Sequence, residues 1–195
     1  MESNIRKEES SLKVGDRITV EIGPVAHGGH FIARHKGQVV FVRYGITGEE
    51  AVVEITSTSS KLARGDAIEI LRPSKDRVVP PCKYAVPGGC GGCDFQHIEI
   101  SAQLELKRSV IREQFSRLGR IEIDLDVLPA EPTKGLHWRT RMDFAISKSG
   151  KPGLYSARSK EVTEIDKCLI AVEAINDPAM FARSWKGDDR LEVAV

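Results

Sequence analysis

The sequence predicts a mixed α+β chain: a small five-stranded β-barrel, then a cysteine-rich loop, then a small α/β central domain. Three observations predict it. Five short β-like runs punctuated by glycine turns fall between Asp16 and Leu71, a spacing that suits a small barrel rather than βαβ units. Three of the four cysteines then crowd into a stretch rich in Pro and Gly. Beyond it a single pattern of helical period gives way to alternating runs.

In order, residues 1–11 are polar and are expected to be disordered. The barrel is expected over residues 12–72. Its first strand, 16–22, places Ile18, Val20 and Ile22 on one face. Gly28-Gly29 turns the chain into 30–34, and 39–42, 51–56 and 67–71 complete the set, with turns at Lys36-Gly37, Gly48 and Gly65-Asp66.

Residues 73–100 form the cysteine loop, with Cys82, Cys90 and Cys93 in the spacing Cys-x7-Cys-x2-Cys. Such a loop buries little apolar surface, so a metal centre is expected to order it. Thiolates suit zinc and iron–sulfur clusters alike. Cys168, far downstream, is the weaker fourth ligand, since buried cysteine is a common core residue. Ligand chemistry leaves the choice of metal open.

The central domain is expected over residues 101–195. A helix over 101–118, with Ser101 as N-cap and Gly119 at the C-terminal cap, carries Leu104, Ile111, Phe115 and Leu118 on one face. Its other face holds Lys107, Arg108, Arg112, Arg117 and Arg120 against Glu105 and Glu113. Strands are expected over 121–128 and 139–147, the latter with Met142 and Phe144 facing one way and Arg139 and Arg141 the other. A loop is expected over 129–135, further strands over 154–158 and 161–165, and a brief helix over 177–185. The final run, 191–195, reads as a strand whose partner is missing, as in an amputated chain.

The chain has 195 residues, 41% hydrophobic and 29% charged, with a net charge of only +1. Any nucleic-acid surface must therefore come from charge distribution. Residues 139–160 carry Arg139, Arg141, Lys148, Lys151, Arg158 and Lys160 against Asp143 alone. Arg139, Arg141, Lys148, Lys151 and Arg158, with Lys107 and Arg108 of the helix, are the candidate nucleic-acid contacts, and Phe31, Phe41 and Tyr44 are candidate stacking residues in the barrel, Phe41 being the more core-like. His27, His30 and His35 lack a carboxylate or cysteine to complete a metal site. Gly23–Gly29 is read as a turn rather than a nucleotide loop. No apolar run of membrane-spanning length or secretory signal is present, so a cytoplasmic protein without membrane association is expected, and no protein partner is implied.

The run Cys90-Gly91-Gly92-Cys93-Asp94-Phe95-Gln96-His97 strongly resembles the CGGCxxQH signature of the RNA (uracil-5-)-methyltransferase family. Residues 12–72 resemble the OB-like, RNA-binding TRAM domain, including Val39–Val42 and the Gly48-Glu49 turn. Trp138–Phe144 is similar to the family's aromatic-Arg-x-Arg strand. The segment from Gly153 to Asp166 before Cys168 resembles the one carrying a fourth cluster cysteine. The resemblance implies a [4Fe–4S] cluster on Cys82, Cys90, Cys93 and Cys168, and an rRNA or tRNA partner. It departs from the family in the longer spacing between Cys82 and Cys90 and in Thr47, which stands where proline is frequent.

The family's chemistry resides in a C-terminal Rossmann-like domain that binds S-adenosylmethionine. A cysteine there adds to C6 of uracil before methyl passes to C5. That domain is expected to be absent here, with no catalytic residue and no S-adenosylmethionine site in the chain, so the chain is expected not to methylate alone. Two rivals are a non-enzymatic RNA-binding module with a structural zinc site made by the same four cysteines and a TRAM-bearing radical methylthiotransferase. The latter has Cys-x3-Cys-x2-Cys and carries TRAM at its other end.

Overall fold

The computed structural model describes residues 12–59, 61–130 and 134–195. Residues 1–11 lie outside the described residues, as does part of the loop expected at 129–135. The chain divides into two units, Met1–Ser74 and Lys75–Val195.

In the first unit, β1 (Arg17–Glu21), β2 (Phe31–His35), β3 (Gln38–Arg43), β4 (Glu50–Thr58) and β5 (Leu62–Arg72) form one sheet in the order β1-β4-β5-β3-β2. All pairings are antiparallel except β3 with β5. The two edges meet where the Gly23 N–H donates to the Ile32 carbonyl at 2.8 Å and the Ile32 N–H to the Pro24 carbonyl at 2.9 Å. The sheet thus closes on itself, which removes the open edges that invite aggregation. Register shifts between β4 and β5 supply the local twist that closure needs.

Alternation fills the interior. Ile18, Val20, Phe31, Ala33, Val40, Val42, Ala51, Val53, Ile55, Ala63 and Ala67 are all buried. Each buried large side chain contributes about 1.5–3 kcal/mol. Gly65, expected in a turn, lies inside β5, where a Cβ would stand 2.5 Å from Val53 Cγ1 and 2.6 Å from the Glu54 carbonyl oxygen. Its role is close approach, not a turn. The true β4–β5 turn includes Ser59, whose N–H donates to the Leu62 carbonyl at 2.8 Å.

Glu49 is fully buried, and its carboxylate accepts the N–H groups of Ile46 and Ser74, each at 2.9 Å. It ties the start of β4 to the exit of β5. Thr47 donates its hydroxyl to the Gly23 carbonyl at 3.0 Å, so the threonine makes a bond that proline could not.

The second unit holds α1 (Ile100–Gln114), a π-helical turn (Phe115–Gly119), and β6 (Arg141–Ile146), β7 (Pro152–Tyr155), β8 (Val162–Glu164) and β9 (Arg190–Ala194). A 3-10 turn (Glu173–Ile175) and α2 (Pro178–Ala182) lie between β8 and β9. The sheet order is β8-β7-β6-β9, wholly antiparallel, so the expected α/β domain contains no parallel crossover in this sheet. Its core is Met142, Phe144, Ile165, Cys168, Ala171, Ile175 and Phe181, with Phe144 and Phe181 edge to face at 5.5 Å.

Four expectations are corrected here. The helix begins one residue early, with Glu99 rather than Ser101 at its N-cap, and it ends on Arg120 in the left-handed conformation (φ 54°) rather than on Gly119. The π turn takes Phe115 and Leu118 off the helical stripe, leaving them 46% and 72% exposed. Residues 121–128 are not a strand. They are held instead by charge, because Arg108 reaches Asp124 at 2.8 Å and Asp126 at 3.2 Å, while Arg112 also pairs with Asp124. Finally, the last run does have its partner: β9 pairs with β6 from Arg141↔Ala194 to Ala145↔Arg190.

Candidate functional site

The second unit gathers Cys82, Cys90, Cys93 and Cys168 around one cavity of about 590 Å³, also lined by Tyr84, Gln96, Trp138, Arg139, Arg141 and Lys167. All four cysteines are free thiols. Among the described residues, no three His, Cys, Asp or Glu side chains converge closely enough to hold a single metal ion.

Local chemistry explains how the loop reaches this place. The Ala85 N–H donates to the Cys82 carbonyl at 3.0 Å, and the Cys90 N–H to the Tyr84 carbonyl at 2.9 Å. The Gly91 N–H then donates to the Tyr155 carbonyl at 3.0 Å, and Cys90 bridges to Ser156, which docks the loop beyond the end of β7. A Cβ on Gly91 would stand 2.6 Å from the Ala157 nitrogen, and one on Gly89 would stand 2.4 Å from the Tyr84 carbonyl oxygen. Those two glycines are needed for backbone contact. Gly92 is different: its Cβ would meet Cys90 Sγ at an ordinary 3.4 Å.

Gln96 works in two directions. Its carbonyl oxygen accepts the Cys82 N–H at 3.1 Å, and its amide donates to Cys93 Sγ at 3.1 Å. The Gly92 N–H donates to Cys90 Sγ at 3.3 Å. Burial pushes the Cys93 thiol up to about 11; the Gln96 amide opposes the rise, and the facing Cys168, Cys90 and Cys82 add to it. Such a thiol holds its proton at neutral pH and surrenders it to a metal.

Cys168 is set by Asn176. The Asn176 side-chain oxygen accepts the Cys168 N–H at 2.8 Å and its amide donates to the Cys168 carbonyl at 3.0 Å, both residues being buried. Nothing local in the sequence marks Asn176. Outside the cavity lining, Lys83 pairs with Asp166 at 2.6 Å, and the Asp166 N–H donates to the Tyr84 hydroxyl at 3.1 Å. Lys83 first, then Tyr84, holds the Asp166 carboxyl below the usual carboxylate range. Sequence reasoning missed this clip as well, since its partners are far apart in the chain.

The basic candidates are placed unequally. Arg139 and Arg141 line the thiol cavity, Arg141 paired with Glu192 of β9. Lys151 donates to the Ala182 carbonyl at 2.5 Å. Lys148, Arg158 and Lys107 are exposed. Arg108 is only 23% exposed and engaged by Asp124 and Asp126. In the barrel, Phe31 and Tyr44 are buried. Phe41, the expected core residue, is the half-buried one, with the Arg64 guanidinium 5.7 Å from its ring centroid and His30 edge-on at 6.3 Å. His97 is buried beside the loop, and no described helix is long and apolar enough to cross a membrane.

Comparison with known proteins adds a family context. Residues 11–68 match the TRAM domain. A Streptomyces coelicolor protein named an uncharacterized RNA methyltransferase is 45% identical over 92% of this chain and 42% of its own length. A 23S rRNA (uracil(1939)-C(5))-methyltransferase of Thiobacillus denitrificans is 33% identical over 80% of this chain and 37% of its own length. The chain thus spans less than half the length of these relatives. Among solved structures, the Pyrococcus abyssi tRNA (uracil-54, C5)-methyltransferase in complex with S-adenosyl-L-homocysteine is similar with a TM-score of 0.51 and 26% identity, over 80% of this chain and 34% of that one.

Proposed function

Because this chain belongs to the RNA (uracil-5-)-methyltransferase family and corresponds to its N-terminal part, we propose that it is the RNA-gripping and cluster-holding portion of an S-adenosylmethionine-dependent RNA uracil-C5 methyltransferase. Its substrate is a structured rRNA or tRNA. The observation that carries this reading is the meeting of four thiols from distant stretches around one cavity of about 590 Å³.

The donor set fits an iron–sulfur cluster. Cys82, Cys90, Cys93 and Cys168 supply the four thiolates that a [4Fe–4S] centre takes. A polynuclear centre takes sulfurs arranged around it from several directions, and the four thiols of this chain line one cavity. When bound, the cluster supplies a covalent staple between the loop and Cys168. The chain's own residues do the rest: Gln96 and the Gly92 N–H donate to Cys93 and Cys90 sulfurs, and Asn176 fixes the backbone of Cys168.

Methyl transfer to C5 requires a thiolate at C6, and the four cysteines of this chain are taken up by the cavity. The 195 residues therefore grip RNA without transferring methyl. The test is titration of the purified chain with rRNA and tRNA fragments at several salt concentrations, alongside a methylation assay. Binding whose logarithm falls with log salt at about 0.7 per phosphate neutralised on a single strand, without methyl incorporation, supports the reading. Salt-indifferent binding, or methylation by the chain alone, contradicts it.

A further inference from the structure

Trp138 is placed where a core-seeking side chain would not remain by chance. The His137 N–H donates to the Leu169 carbonyl at 2.9 Å, the Trp138 and Arg139 N–H groups both donate to the Ile170 carbonyl at 3.0 and 2.8 Å, and the Val172 N–H donates to the Arg139 carbonyl at 3.0 Å. These bonds lock residues 137–139 onto the stretch just after Cys168. The backbone is therefore fixed, yet the indole stays 53% exposed while lining the same cavity as the four thiols. The Arg139 guanidinium sits 6.0 Å from the indole centroid.

Charge on this rim is uneven. Arg141 is paired with Glu192, Lys167 with Glu173, and Asp143 faces Arg190. Among the described residues, Arg139 has no carboxylate partner. A rigid exposed indole beside an unneutralised guanidinium offers a face for a base and a charge for the adjoining phosphate, the pairing that single-strand binders use.

Resting on the RNA-binding reading above, we infer that Trp138 and Arg139 form a base-and-phosphate grip for single-stranded RNA at the rim of the thiol cavity, so that bound RNA shields the cysteines. The grip and the thiol site share one opening. Occupancy of the first closes the second.

The experiment uses the purified 195-residue chain, reduced and free of metal, with an oligouridine strand as probe. Trp185, whose indole N–H is bonded to the Met180 carbonyl at 2.9 Å, is replaced by Phe so that Trp138 reports alone. Binding is followed by anisotropy of the labelled strand, stacking by quenching of Trp138 fluorescence, and shielding by site-resolved iodoacetamide alkylation of the four cysteines. The expected result is quenching together with slowed alkylation. Trp138→Ala weakens binding roughly 5- to 100-fold and abolishes the protection, and Arg139→Gln, which keeps the indole, weakens binding and protection together. If the strand binds but leaves both fluorescence and alkylation unchanged, the grip is refuted while the RNA-binding reading stands. Should no strand bind at any salt, the RNA-binding reading itself fails, and the grip with it.

Discussion

The Tyr84 hydroxyl accepts the backbone N–H of Asp166 at 3.1 Å, joining positions 82 residues apart. Tyr84 follows Cys82 by two positions and Asp166 precedes Cys168 by two, so the bond brings the two ends of the thiol site together without metal. Lys83 reinforces it through the Asp166 carboxylate.

Tyr84→Phe keeps the ring that packs on the core and removes the hydroxyl, which accepts the Asp166 N–H and also helps hold the Asp166 carboxyl low. A hydrogen bond of this kind contributes about 0.5–1.5 kcal/mol net. Hydrogen exchange at the Asp166 amide then accelerates roughly two- to tenfold in the metal-free protein. Unchanged exchange would mean that the clip does not hold the loop.

The loop glycines are not equivalent. Gly91→Ala drives a Cβ into the Ala157 backbone at 2.6 Å and costs about 1–3 kcal/mol as overpacking, seen as a lower urea midpoint. Gly92→Ala meets only ordinary contacts, Cys90 Sγ at 3.4 Å and Leu154 Cδ1 at 3.8 Å, and leaves the midpoint in place. Equal effects of the two substitutions would count against loop docking as the reason for Gly91.

The turn between β6 and β7 gives a pH signature. Ser149 and then Ser147 donate hydroxyls to Glu164 at 2.6 and 2.7 Å, holding its carboxyl below the usual range. A depressed folded value means that this stability is fully present above the ordinary glutamate value of about 4.3 and fades as pH falls through the folded value. Subtracting the stability of Glu164→Gln from that of the parent, measured by urea unfolding, gives a positive difference at neutral pH that shrinks in acid. A difference that grows in acid would reverse the assigned sign.

On the helix, neighbouring cations have different tasks. Arg108→Ala releases Asp126 and leaves Asp124 to Arg112 alone, so residues 121–128 become more accessible to limited proteolysis while RNA affinity changes little. Lys107→Ala leaves that segment protected but lowers the salt slope of RNA binding by about 0.7. The opposite pattern would make Arg108 the RNA contact.

Much of this architecture is legible from local pattern. Alternation at Ile18, Val20 and Ile22, and at Met142 and Phe144, identifies buried faces because side chains in strands repeat every second residue. The same local signal misleads at Gly65, since glycine serves a turn and a close approach equally well. Residues 121–128 look like a strand by their own side chains, but their partners, Arg108 and Arg112, belong to the helix before them. β9 looks partnerless in sequence because β6 lies far upstream. At the site, the thiols could be counted, whereas Asn176 and the Tyr84–Asp166 bond arise from tertiary packing that no spacing announces. Phe41 and Arg64 likewise become neighbours only through the parallel register of β3 with β5.

Metal analysis after anaerobic purification decides whether the four sulfurs share one polynuclear centre. The expected result is iron and acid-labile sulfide in equal amounts with a broad visible absorbance, lost in each of Cys82→Ser, Cys90→Ser, Cys93→Ser and Cys168→Ser. Colourless protein carrying stoichiometric zinc, or a cluster undisturbed by Cys168→Ser, would contradict it.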